Sequence, residues 1–355
     1  MLTYILGGLV ANGSMWLAVA VAIVMILLLQ GKNFLGYFVT TIPSYEFSTF
    51  MRFLLLVVVI LPVVPNKEFT QFNINPFKIW LIVIAVISIS YLSYLIQLFL
   101  KQRGGVMVTS VLGGIYSSTA TTVVLSKKAR NTNEDVSSGI SLYASAILMA
   151  SSMMYLRILV LVVLFSQNIF YILLPIMAST GLVGIIVAVL LSIYSRGISQ
   201  NSKVQEGSSA EEHSGKGKKQ KDKKKIQPSP KELAQEKKIT PNPLELNVAI
   251  VFAVLFLVVF VLNQLALERF GDAGVYTMAT IMGFTDVDPF ILSIADPNAG
   301  VRESIASLAI LIAAGANNLL KGVYAVIFSH RKIGIQGLLF LLGLSLLSVL
   351  FYFLF

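Results

Sequence analysis

Apolar runs long enough to cross a bilayer recur along these 355 residues, and they constrain the fold more than any other feature. A hydrocarbon core about 30 Å thick calls for roughly 20 apolar residues in helical form, because lipid offers no partner to open backbone groups. With 56% hydrophobic and 12% charged residues, the chain has too few polar side chains to cover a soluble globule. The fold class expected is an all-α polytopic membrane protein; a β-barrel would show short alternating segments instead. Without cysteine, disulfides, thiolate metal sites and cysteine nucleophiles are excluded. His213 lies in a hydrophilic stretch and His330 at the end of an apolar run, so a multi-histidine zinc site is excluded too.

The N-terminal region, 1–72, reads as a partial helix over 2–11, closed by Asn12-Gly13-Ser14, and two spans over 15–30 and 47–64. The opening stretch lacks the basic start and small-residue cleavage site of a signal peptide. Eight further apolar stretches follow in two sets of four: 77–100, 104–126, 138–166 and 168–194, then 243–265, 272–295, 302–329 and 333–355. Between the sets, 195–240 holds 12 Lys/Arg, 6 Asp/Glu and no Phe, Trp or Tyr. Such a composition cannot bury a core, and the expectation is a disordered basic linker.

The two sets match. Asn75-Pro76 aligns with Asn242-Pro243 and Leu125-Ser126 with Leu292-Ser293 at an offset of 167; Ala146-Ile147-Leu148 aligns with Ala309-Ile310-Leu311 at 163. Repeat 1 covers 73–194 and repeat 2 covers 241–355. The second element of each is Gly-interrupted with a polar centre, GGIYSSTATT from Gly113 and GFTDVDP from Gly283. This register sets Ser118, Thr119 and Thr121 against Thr285, Asp286 and Asp288. Interrupted apolar segments at matching positions of two halves point to a transporter's binding site.

Whether these elements cross decides the symmetry of the halves, and positive charge discriminates. With the basic linker in the cytoplasm, full crossing puts six short-loop Lys/Arg inside against seven outside. A re-entrant hairpin puts nine inside (Lys32, Arg52, Lys101, Arg103, Lys127, Lys128, Arg130, Arg331, Lys332) against four outside (Lys67, Lys78, Arg269, Arg302). The favoured reading is two inverted repeats, each of three spans plus one re-entrant element, preceded by two helices.

Asp286 and Asp288 inside an apolar stretch are the strongest chemical signal, since intramembrane carboxylates mark ion or proton pathways. Pro289 would leave the carbonyl of Thr285 free in a continuous helix. Those groups, with the hydroxyls of Thr285, Ser118, Thr119 and Thr121, would form a hard-oxygen site for Mg²⁺, Na⁺ or H⁺, with Asp286 and Asp288 as metal ligands. The plainer alternative is that both aspartates cap a half-helix. Arg157, Asn317, Asn318 and Lys321 occupy nearly equivalent places in the third elements; they either form a polar layer that pairs the aspartates or holds substrate, or snorkel to the interface. Ser145, Ser151 and Ser152 fit close helix packing better than binding.

The run KGKKQKDKKK, opening at Lys216 and closing at Lys225, reads as a solvated, topology-setting linker with attraction for anionic lipid. Without interleaved aromatics it does not read as a nucleic-acid site. No H-E-x-x-H or G-x-S-x-G is present, and no catalytic residues or cofactor are expected beyond bound Mg²⁺ or Na⁺, so the chain is not expected to be an enzyme. The partners expected are the bilayer and further copies of the chain in a homo-oligomer.

NPFKIW, LGGIYSSTATTVVLSKKAR, MYLRILVLV, GDAGVY, GFTDVDPFILSIA and ANNLLKG together resemble the domain of unknown function that commonly follows MgtC/SapB-type membrane domains, over about 15–330. The resemblance implies a multi-pass protein of the bacterial or archaeal cytoplasmic membrane, linked through its neighbour domain to growth under magnesium limitation. It brings no catalytic residues. The preceding MgtC-like helices are lacking here apart from what the segment Leu2 to Ala11 could contribute, and the basic insertion is longer than the pattern. Two functions follow as expectations: a transporter or channel-like permease for a cation or small charged solute, or a non-transporting membrane regulator or scaffold of magnesium homeostasis.

Overall fold

A computed structural model describes residues 61, 63–69, 75–100, 105–131, 141–210 and 246–355, together with the single positions 7, 8, 11, 19 and 57; side chains are described except at 89–90, 93–100, 196–249 and 298. The expected helix 2–11 and spans 15–30 and 47–64 lie largely outside the described residues. The long described helices all belong to one unit, which begins at Ile60 and runs to Phe355.

Among the described residues there are nine α-helices: α1 Pro76–Leu100, α2 Val106–Asn131, α3 Leu142–Val163, α4 Gln167–Ala210, α5 Leu246–Phe270, α6 Asp272–Gly283, α7 Val287–Ala295, α8 Glu303–Phe328 and α9 Arg331–Leu354. A 3₁₀ turn, Pro297–Ala299, links α7 to α8. Six helices are long and apolar enough to span: α2, α3, the Gln167–Ser195 part of α4, the Ile250–Phe270 part of α5, α8 and α9. The chain is a multi-pass helical membrane protein that leaves large apolar side chains such as Leu190, Val251, Leu346 and Phe353 exposed on its helices. α4 runs on to Ala210, so the first part of the segment expected to be unstructured is helical, and 211–240 lie outside the described residues.

α3 is the most enclosed of the six candidate spans, burying Ala144 to Tyr155 without interruption. It packs on α2, α4, α7 and α9, while α8 packs on α2, α4, α6, α7 and α9. Exchanging α1 with α5, α2 with α6 and α7, α3 with α8, and α4 with α9 preserves this pattern of pairing.

Loop contacts give the directions. Asn168, just past the end of α3, donates to Glu303 at the start of α8 at 2.6 Å. The amide of Ser141, which caps the start of α3, donates to Gln336 in the opening turns of α9 at 3.0 Å. α3 and α8 are therefore antiparallel. One end of the molecule gathers the end of α3 and the start of α8; the other gathers the start of α3 and the end of α8, where Lys127 lies over the Phe328 ring.

Candidate polar centre at two broken helices

α2 is two helical arms, 106–116 and 118–131, separated by Ser117 in an extended conformation (φ −155°, ψ 100°). The Ser117 hydroxyl caps the second arm, accepting the amide of Ala120 at 3.3 Å. A β-carbon on Gly113 would lie 2.3 Å from Thr121 Oγ1. Eight residues of continuous helix rise about 12 Å, so this contact requires the arms to fold back on each other. Val106 and Met107, at the start of the first arm, pack against a buried cluster that includes Leu125 of the second arm, Ala146 and Ile147 of α3, Ala325 of α8 and Leu341 of α9.

α6 and α7 are separated by Phe284, Thr285 and Asp286, with Asp286 extended (φ −136°, ψ 119°). Asp286 caps α7, its Oδ1 accepting the amide of Asp288 at 3.2 Å. Pro289 sits in the first turn of α7, where a missing amide costs nothing, so it frees no carbonyl of a continuous helix. Asp272, the first residue of α6, is held at 2.7 Å by Arg302, which immediately precedes α8. This contact ties the start of α6 to the start of α8.

Both breaks rest on a glycine packed against an alanine. A β-carbon on Gly114 would lie 2.6 Å from the Ala150 carbonyl oxygen, and one on Gly283 would lie 2.5 Å from that of Ala313. Each glycine is three residues before its break, and the alanines are 163 residues apart. Ser117 therefore corresponds to Asp286, two residues from the register expected from sequence. The first arm of α2 is about 16 Å long and α6 about 18 Å.

Arg157 of α3 joins the tips. It donates to the Tyr116 carbonyl at 3.0 Å, the last group before the Ser117 break, and forms an ion pair with Asp288 in the first turn of α7. The pair is largely buried, with side chains 16% and 18% exposed. On α8, Asn317 donates to the Gly283 carbonyl at 3.1 Å, supporting the second break as Arg157 supports the first. One turn further, Lys321 is wholly buried. Its Nζ lies 2.9 Å from Met154 Sδ and 3.4 Å from Asn318 Oδ1. Asn318 in turn donates to Tyr155 Oη at 3.0 Å and to Ser345 Oγ at 3.2 Å.

Of the residues singled out by sequence, the structure thus assembles Asp286, Asp288, Arg157, Asn317, Asn318 and Lys321 around the breaks. Arg157 and Lys321 do not snorkel outward. The expected oxygen shell is less complete: Thr285 Oγ1 bonds back to the Met282 carbonyl at 3.1 Å, and Thr121 packs against Gly113 inside its hairpin. Ser118 is buried and Thr119 half-buried in the first turn of the second arm. Asp286 and Asp288 do not converge on one point, since the first caps a helix and the second faces Arg157. Among the described residues, no group of three or more His, Asp or Glu is placed to hold a metal ion. Sequence reasoning passed over Ser117, the Tyr116 carbonyl, Met154, Tyr155 and the two glycine–alanine contacts. Ser117 and Tyr116 lie within GGIYSSTATT, and Tyr155 is visible as a polar handle in an apolar run.

The architecture defines a multi-pass helical membrane protein with a buried polar centre. The family model described as "Domain of unknown function (DUF4010)" matches residues 84–212 and 220–329, and the chain belongs to that family. An "Uncharacterized protein" of Aquifex aeolicus (strain VF5) is 25% identical over 244 residues, covering 67% of this chain and 88% of the relative. No solved structure matches.

Proposed function

We propose that the chain is a permease for a cation or small charged solute, built from two inverted repeats whose re-entrant tips meet at a site near the membrane midplane. The observation that carries this reading is Arg157 gripping both tips at once, one through the Tyr116 carbonyl and the other through Asp288. Broken helices with free backbone and charge at mid-depth are tolerated where they line a substrate path. The inverted relation is supported by the antiparallel α3 and α8 and by the exchange pattern of helix packing. Re-entrance is supported by the Gly113–Thr121 fold-back and the Asp272–Arg302 pair.

In this reading Asp286 receives the solute's positive charge, because among the described residues it has no ion pair and it remains exposed at the break. Arg157 and Asp288 hold the tips, Asn317 fixes the Gly283 backbone beside the second tip, Asn318 ties α8 to Tyr155 and Ser345, and Ser118 and Thr119 line the opposite tip. Lys127, Lys128, Arg130, Arg331 and Lys332 all lie at the end where α4 leads into the basic linker. That end is assigned to the cytoplasm by the positive-inside rule, within a cytoplasmic membrane.

The direct test is flux of Mg²⁺, Na⁺ and H⁺ into proteoliposomes holding the native chain or Asp286→Asn. Native flux that falls at least about tenfold in a folded variant, a loss of about 1.4 kcal/mol in barrier terms, is expected. Unchanged flux in Asp286→Asn overturns the role of that carboxylate, and none from well-folded native protein, with organic ions also tried, overturns the permease. The hairpin is tested separately: single cysteines at Gln102 and Asn131 should react with an impermeant maleimide from one side of the membrane, and labelling from opposite sides would mean that α2 crosses.

A further inference from the structure

Lys127, Lys128, Arg130, Arg331 and Lys332 come from two distant stretches of the chain, and the fold gathers them on one base. Lys127, near the end of α2, lies 5.2 Å from the centre of the Phe328 ring. Arg331 follows Phe328 by three residues, so their Cα atoms are at most about 11 Å apart. Ala129, between Lys128 and Arg130, and Ile333, directly after Lys332, belong to one buried cluster with Ala144. A β-carbon on Gly334 would lie 2.5 Å from the Val326 Cα, which places the first turn of α9 hard against the last turns of α8. All five basic residues are exposed around this packed base.

Among residues whose side chains are described, no acid stands at this end. Asp286 and Asp288 lie at the second break, Glu68 pairs with Lys78, and Glu268, Asp272, Asp296 and Glu303 lie towards the start of α8, where Arg302 holds Asp272. Lys127 meets a ring face, and Arg130, Arg331 and Lys332 form no ion pair among the described residues. Cations held together in this way raise the local concentration of anions. The surface beside them selects the kind of anion. One and two turns from Arg331 in either direction, α8 exposes Ile327 and Val323, and α9 exposes Ile335 and Leu339. A soluble phosphate would use the cations and leave these aliphatic side chains bare, whereas an amphiphile with an anionic headgroup uses both.

We infer that the ends of α2 and α8 and the start of α9 form a binding site for an anionic phospholipid, its phosphodiester held by Lys127, Arg331 and Lys332 and its acyl chains lying along the exposed aliphatic side chains of α8 and α9. The site is separate from the basic linker and does not rest on the permease reading. Lys127 belongs to the second arm of the broken α2, and Arg331 and Lys332 open α9. A bound headgroup thus ties the first broken helix to the α8–α9 pair, an attachment additional to the side-chain packing beneath it.

The test is native mass spectrometry of the full chain in detergent, titrated with dioleoyl phosphatidylglycerol or with dioleoyl phosphatidylcholine, which carries the same acyl chains. The native chain should hold phosphatidylglycerol at least about tenfold more tightly. Lys127→Gln with Arg331→Gln and Lys332→Gln, all at exposed positions, should stay monodisperse and lose that preference. Lys127→Gln alone should weaken it about fivefold, a readout that stands by itself if the triple variant does not fold. Replacing the lysines of the Lys216 to Lys225 run by glutamine should leave it intact. Equal affinity for the two lipids in the native chain overturns the inference, as does a preference that survives the triple change or vanishes with the linker lysines. Glycerol 3-phosphate competing at equal concentration would assign the cations to a soluble phosphate and overturn the lipid. A preference that emerges only with Glu134→Gln and Asp135→Asn, in the segment 132–140 outside the described residues, would assign the cations to the chain's own loop and overturn it too.

Discussion

In α2 the helix breaks at Ser117, capped by a hydroxyl; between α6 and α7 it breaks at Asp286, capped by a carboxylate. The supports are alike in geometry, with a glycine three residues earlier lying against an alanine carbonyl of the next long helix. They differ in charge. The first tip carries hydroxyls and is steadied by an arginine, whereas the second carries two carboxylates and is steadied by an asparagine and by that same arginine. Backbone close approach fixed the shared geometry, which only a residue without a side chain allows. Charge was then free to diverge, and in the permease reading proposed above that asymmetry assigns a positive group to one tip and not to the other.

The shared part should be the hardest to alter. Gly114→Val and Gly283→Val should each abolish monodisperse protein in detergent, exceeding the roughly 1–3 kcal/mol of ordinary overpacking because the obstruction is backbone. If only one of them did so, the two supports would not be equivalent. Next comes the bridge: Arg157→Gln leaves Asp288 uncompensated and should cost about 3 kcal/mol, at the low end for a buried pair given its partial exposure. Adding Asp288→Asn should recover at least about 1 kcal/mol in thermal unfolding of the double variant, and strict additivity would show that the tips are not coupled through this pair. The smallest effect concerns the first tip alone. Gly113→Ala meets the movable side chain of Thr121 and should cost about 1 kcal/mol, partly restored by Thr121→Ala. Restoration would be absent if α2 were one straight helix, since the two positions would then be far apart.

Much of this arrangement is legible in the chain itself. Helices α1 to α9 follow the apolar runs, because lipid permits little else, and the polar centres of GGIYSSTATT and GFTDVDP stand where the breaks occur. The sequence offers Asp286 as an ion ligand or as the cap of a half-helix; the structure shows the cap, and the ion role belongs to the proposal above. The helical extension of α4 to Ala210 is not legible, since its polar residues carry no periodic apolar face to announce it. The register between the two breaks differs by two residues from the sequence match, because backbone conformation at Ser117 and Asp286, rather than residue identity, defines equivalence.

The sequence by itself determined a helical membrane protein with two polar interruptions in matching places, since hydrophobic length and intramembrane charge are properties of composition along the chain. Tertiary structure alone decided that Arg157 takes Asp288, that Asp286 stays open, and that Lys321 meets a thioether and an amide instead of a carboxylate. The first and the thioether contact depend on which residues, more than a hundred apart, share one depth in the bundle, and no local pattern encodes that depth.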